Sequence, residues 1–163
     1  MSGGGLLDVT YPNYVEAWAT WFQQALTELG LPRIAGFLSG QLIGSAYALY
    51  SINRTTSLRE SSETAFLQPA LGDTSLQVYP NTMVKQVLFN GTTATGVLVE
   101  SGNFQYKLVA NKEVIVSAGA FQSPQLLMVS GVGPSETLNK FGIPVIADRP
   151  GVGQNMWASS YSQ

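Results

Sequence analysis

The 163 residues suffice for one ordinary domain with a sizeable core, and 45% hydrophobic against 11% charged residues excludes a disordered chain. A net charge of −2 with only eight Lys and Arg leaves no basic patch, which argues against a nucleic-acid partner. Cysteine and histidine are both absent, so no disulfide can form, and the commonest general base and commonest metal ligand are missing together.

Residues 1–10 read as a flexible lead, Met1-Ser-Gly-Gly-Gly followed by Leu6, Leu7 and Asp8. It has neither the basic nor the apolar region of a secretory signal. Every apolar run in the chain is shorter than the ~20 residues that cross a bilayer, so no membrane contact is implied and localisation stays open. From Pro12 to Leu29, Val15, Trp18, Phe22, Ala25 or Leu26, and Leu29 recur at steps of three and four, which predicts an amphipathic helix closed by Gly30 and Pro32. Trp18 and Phe22 are expected as core anchors of that helix. Between Arg33 and Ser57 the pattern is poor. Gly36, Gly40 and Gly44 lie four apart but lack the apolar setting that would make them a helix-packing motif, so a loop with a short extended piece is expected.

Arg59-Glu-Ser-Ser-Glu-Thr-Ala-Phe-Leu67 predicts a helix start, with Ser61 or Ser62 as cap, Glu63 in the positive first turn and Gly72 as the stop. Glu60 and Glu63 are read there as capping and solvated residues rather than a catalytic pair. Four extended runs follow: Leu76–Tyr79, Met83–Phe89, Thr95–Glu100 and Phe104–Val109. Asn90-Gly91 is a hairpin signal, Ser101-Gly-Asn103 makes the next turn, and Phe104, Tyr106 and Leu108 alternate with polar residues as a half-buried strand requires. Asn53-Arg-Thr55 and Asn90-Gly-Thr92 are glycosylation sequons, of consequence only in the secretory route.

Val114, Ile115 and Val116 form a β-branched run expected as a strand buried on both faces. Ser117, Ala118, Gly119 and Ala120 then make a turn with little projecting from the backbone, and Ser123 before Pro124 predicts a helix start. Leu126, Leu127 and Val129 form its apolar part, and Gly131 and Gly133 end it. Pro134–Phe141 predicts a short helix with Leu138 and Phe141 inward and Gly142 as the stop, and Ile143–Ala147 a strand. The sum is an α/β pattern with an antiparallel meander set into it.

Neither Gly131/Gly133 nor Gly151/Gly153 makes a dinucleotide fingerprint, because Glu136 and Met156 stand at the third glycine position. Serine-hydrolase, zinc-enzyme and phosphate-loop chemistry all lack their residues.

Two segments carry a resemblance. Ser117-Ala-Gly-Ala-Phe-Gln-Ser-Pro-Gln-Leu-Leu-Met-Val-Ser-Gly-Val-Gly133 closely resembles the second signature of the glucose–methanol–choline (GMC) oxidoreductases, and Pro144-Val-Ile-Ala-Asp-Arg-Pro-Gly-Val-Gly-Gln-Asn155 the segment that follows it. The resemblance covers nearly the whole chain and implies a central fragment of a fungal-type FAD-dependent alcohol oxidase or dehydrogenase. It implies part of a FAD-binding, Rossmann-like domain with the meander as an appendage, flanked by helices of the substrate domain. Residues 1–57 would belong to the cap or substrate region, 58–135 to the FAD-binding domain, and 136–163 to the start of the next segment.

By position, the resemblance puts the Val84 main chain at the adenine end of FAD. It puts Ser117, Ala118 and Gly119 near ribose and pyrophosphate, and Gly153, Gln154 and Asn155 in a loop near the flavin. It implies no catalytic residue here, since the family's histidine lies outside the matched stretch. Ala158 and Ser159 stand where an Asp-His pair is expected, as in a truncated or mis-spliced reading frame. The expected function is oxidation of a CH–OH group of a small alcohol with hydride transfer to flavin, with the isolated chain inactive and its own hold on FAD in doubt. Unpaired strand edges at Leu76–Tyr79 and Val114–Ser117 are expected to favour self-association. The alternative is a stand-alone binding or interaction module built on the same fold.

Overall fold

A computed structural model describes residues 4–157, and the chain divides into two compact units, Met1–Val78 and Tyr79–Gln163. Ala158 and Ser159 lie outside the described residues.

The first unit hangs irregular backbone on one helix. α1 spans Ala17–Glu28, beginning later than Pro12 because Glu16 is still extended (φ −64°, ψ 143°). Its covered positions are Ala19, Gln23 and Leu26. Trp18 and Phe22 are 72% and 52% exposed, stacked on each other with ring centroids 6.0 Å apart. The expectation that they anchor a core is overturned. Helical periodicity marks the face that favours burial, but of that face only Leu26 is covered, and Trp18, Phe22 and Leu29 stay open. Gly36, Gly40 and Gly44 fall, as expected, in irregular backbone, where Thr10 bridges Tyr50 and Arg33 bridges Ser45.

Glu60 closes this unit. Its carboxylate accepts from the Asp8 backbone N–H at 2.7 Å and from Asn53 Nδ2 at 2.8 Å, while Asp8 also meets Arg54 at 3.5 Å. Glu60 is therefore a clasp between segments far apart in sequence and not the solvated capping residue expected. A π-helical turn over Glu63–Leu67 leads into α2, Gln68–Asp73. Ser61 and Thr64 cap it reciprocally: Ser61 N–H donates to Thr64 Oγ1 at 3.0 Å, and Thr64 N–H to Ser61 Oγ at 3.4 Å. Gly72 lies inside α2. The helix stops instead at Thr74, in extended backbone, whose hydroxyl donates to the Ala70 carbonyl at 2.7 Å.

In the second unit the meander forms as expected, with β1 Thr82–Asn90, β2 Thr93–Ser101 and β3 Phe104–Val109 antiparallel in that order. Both loops have two residues, Gly91-Thr92 and Gly102-Asn103, with each glycine at φ +59°. A positive φ at the first central position alone is the type II′ turn, which matches the twist of the strands. Val87 and Val99 are buried, but Phe104 is exposed, so β3 is less covered than its alternation suggests. Lys85 is a bulge between Val84 and Gln86, and its ammonium lies 3.7 Å from Glu100. The Gln105 side-chain hydrogen bond, then Lys85, holds the Glu100 carboxyl below its ordinary value. That small contribution is complete above the ordinary carboxylate pKa and is lost as pH falls through the lowered one.

The third expected helix begins at Gly119, not Ser123. α3 spans Gly119–Val129 with Pro124 inside it. Ser123 still serves the N-terminus, because its Oγ accepts from the Ala118 N–H at 2.9 Å from one turn inside the helix. At the other end the buried Ser130 joins helix to sheet: its Oγ accepts from Val87 N–H at 2.8 Å and donates to the Leu126 carbonyl at 2.6 Å. α4 spans Ser135–Lys140, held by hydrogen bonds from Ser135 N–H and Oγ to the Asp148 carboxylate at 2.9 and 3.0 Å. Leu138 is fully buried, whereas Phe141 points outward.

Three expected strands do not form as such. Leu76–Tyr79 and Val114–Val116 are assigned to no strand, and Ile143–Ala147 shrinks to β5, Ala147–Asp148, paired in parallel with β4, Val132–Gly133. Ile115 is 76% exposed. A β-branched run specifies a strand only where neighbours supply a ladder, and no described residue supplies one for 114–116. Large apolar side chains lie open within each unit, among them Trp18 and Leu29 in the first and Phe104 and Ile115 in the second. Among the described residues, no helix is long and apolar enough to cross a membrane.

Ser130→Ala should strand the Val87 N–H in a buried position and destabilise the second unit by about 1–3 kcal/mol, read as a lower urea midpoint at unchanged slope. Leu138→Ala should cost about 2–5 kcal/mol by the same measurement.

Candidate functional site

In the second unit an open groove of about 890 Å³ runs between β1, the segment 114–118 and α3, within the range of ligand clefts. β1 is an edge strand of the sheet, with β2 on one side only. From α3 come Gln122, Gln125, Leu126 and Val129, spaced i, i+3, i+4, i+7, so a single helix face forms that wall. Asn81, Thr82, Met83, Val84 and Lys85 form the opposite wall.

The α3 N-terminus opens beside the groove. Gly119 adopts φ +85°, and a Cβ there would meet nothing within 4 Å, so the backbone is approachable at the turn into the helix. First-turn N–H groups carry the positive end of the helix dipole and suit an anionic group. No acidic side chain occupies the first turn to compete. Gly131, at φ +89°, closes the helix where a Cβ would stand 2.6 Å from the Pro144 carbonyl, and only glycine allows that close approach.

Of the residues singled out in the sequence, the groove brings together Val84, Ser117 and Ala118. Gly119 adjoins them as the first residue of α3. Gly153 lies elsewhere, against α3, where a Cβ would be 3.7 Å from Pro124 and 3.8 Å from Met128. Gln154 and Asn155 continue that exposed loop, with Gln154 N–H donating to Gly151 at 3.2 Å and Asn155 at φ +53°. Sequence reasoning missed Gln122 and Gln125. Their spacing with Leu126 and Val129 was available as a signal, but it does not say which helix face meets a ligand.

Among the described residues that line the groove, Lys85 is the only charged one and none is a carboxylate. Among the described residues no cluster of carboxylates could hold a metal. Amide donors at a helix start, polar glutamines and an apolar floor of Val97, Val114 and Val116 fit a nucleotide that carries phosphates.

The sequence pattern described as GMC oxidoreductase matches residues 5–159. Patulin synthase of Penicillium expansum is 55% identical over 155 residues, which cover 95% of this chain and 25% of that protein. Among solved structures, a FAD-dependent oxidoreductase from Chaetomium thermophilum superposes with a TM-score of 0.85 at 31% identity, over 90% of this chain and 26% of that one. A fungal aryl-alcohol oxidase superposes with a TM-score of 0.84 at 28% identity, over 92% and 25%. The chain thus spans about a quarter of the length of these relatives.

Two glycine replacements separate backbone conformation from steric contact. Gly119→Ala should cost about 1–2 kcal/mol from its positive φ alone. Gly131→Ala, which adds a collision with Pro144, should cost more. Equal urea midpoints for the two variants would contradict this assignment.

Proposed function

The chain belongs to the GMC oxidoreductase family, and on that footing we propose that it supplies one wall of the FAD site in an enzyme that oxidises the CH–OH group of a small alcohol. The observation that carries this reading is the groove in which Val84, Ser117 and Ala118 converge beside the α3 N-terminus. In this reading the Val84 main chain meets the adenine. Ser117, Ala118 and the amides from Gly119 onward hold ribose and pyrophosphate, the helix start offsetting the phosphate charge. Gly153, Gln154 and Asn155 form a loop toward the flavin end. Bound FAD supplies the hydride acceptor. Residues 1–57 form part of the cap over the substrate, 58–135 belong to the FAD-binding domain, and 136–163 begin the following segment.

The chain's own contribution is to bind and orient. With no histidine in 163 residues and no carboxylate in the groove, it offers no base at the site to accept the proton of the alcohol. By itself it neither retains flavin through purification nor turns over alcohol. Its uncovered apolar surface, including Trp18, Trp21 and Ile115, favours self-association.

Titration of the isotopically labelled chain with FAD should shift the amides of residues 81–85 and 116–119 and leave α1 unmoved. Shifts confined to other residues, or none at saturating FAD, would sink the placement. Alcohol-dependent bleaching of added flavin would show that the chain needs no outside base. Sedimentation velocity should show mass increasing with concentration, and a monomer throughout would remove the self-association reading.

A further inference from the structure

The chain carries two sequons of equal quality on paper, Asn53-Arg-Thr55 and Asn90-Gly-Thr92, and we propose that, in a chain passing through the secretory route, the fold sorts them: Asn90 accepts an N-linked glycan and Asn53 does not. In this modification an oligosaccharide moves from a lipid pyrophosphate carrier to asparagine. A bond forms between the sugar C1 and Nδ2, the C1–O bond to the pyrophosphate breaks with its electron pair leaving on the phosphate, and Nδ2 gives up one proton. Where transfer competes with folding, the folded chain must leave the acceptor amide free, and the product must project into solvent.

Asn53 meets neither condition. Its Nδ2 donates to Glu60 Oε1 at 2.8 Å, and its Oδ1 accepts from the N–H groups of Thr55 and Thr56 at 3.0 and 2.9 Å. The side chain is half-buried, and the sequon's own threonine is tied into the turn it organises. A sugar on Nδ2 would stand beside a carboxylate that also holds the Asp8 N–H at 2.7 Å. Glycosylation at Asn53 and closure of the first unit compete for the same atoms.

Asn90 meets both. It is the last residue of β1, exposed, and its backbone is already paired with Thr93. Its side chain makes no hydrogen bond to any described residue. Thr92 is exposed in the adjoining two-residue turn, and open space surrounds Gly91, where an added Cβ would meet nothing within 4 Å. A glycan at this hairpin tip displaces no contact.

The test expresses the chain behind a cleavable secretory leader in yeast and analyses the whole lumenal pool, retained and secreted. Enzymatic deglycosylation in heavy-oxygen water followed by peptide mass spectrometry marks each occupied asparagine. Label at Asn90 in most copies and only a trace at Asn53 is expected. Asn90→Gln should remove the glycan's gel shift, and Asn53→Gln should leave it unchanged. Glu60→Ala keeps both sequons but opens the clasp, so occupancy at Asn53 should rise several-fold. A glycan on Asn53 in the parent chain, or a bare Asn90, would overturn the proposal. Asn53 remaining bare in Glu60→Ala would overturn the clasp as its cause.

Discussion

The Ser130 hydroxyl sits where a helix ends and a sheet edge begins, and the second unit is built around what it joins. β1 is flanked by β2 on one side only, so its other edge presents backbone groups that need partners. Ser130 Oγ takes the Val87 N–H and passes its own proton to the Leu126 carbonyl, satisfying a buried donor with a helix terminus instead of another strand. This fixes the C-terminal end of α3 against the middle of β1. Because the two elements are pinned there, their other ends, around Val84 and Gly119, border the groove.

The same economy of contacts explains what lies uncovered. The fully buried side chains among the described residues are few and small, with Leu138 the largest. Trp18, Trp21 and Phe22 face outward from α1, and Ile115 does so from the segment before α3. These residues have the character of interior surface. Relatives at about half identity are about four times as long. Beside this small core, polar clasps at Glu60, Ser130 and Asp148 tie segments together within each unit.

Local features of the chain were legible wherever local chemistry settles them. The meander was readable because alternation and glycine turns are short-range signals, and β3 emerged with its expected limits, Phe104–Val109. Its first turn was legible in place but not in type, since Asn90 pairs in the strand and Gly91-Thr92 makes the bend. Ser123 serves the helix start as expected, yet it works from one turn inside the helix, because a glycine at positive φ lets the chain bend earlier. Glu60 was misread as solvated, because its partners, Asp8 and Asn53, come from other segments that no spacing rule connects.

The sequence by itself determined the family, the meander and the existence of the helices but not their ends, because wording, two-residue alternation and turn chemistry are all written within a few neighbouring residues. Only the tertiary structure decided which faces those elements cover, that residues 114–116 form no ladder, and that Val84 and Ala118 share a groove. Burial and strand pairing depend on what stands opposite a residue, and an opposing surface is a property of the folded chain rather than of any stretch of it.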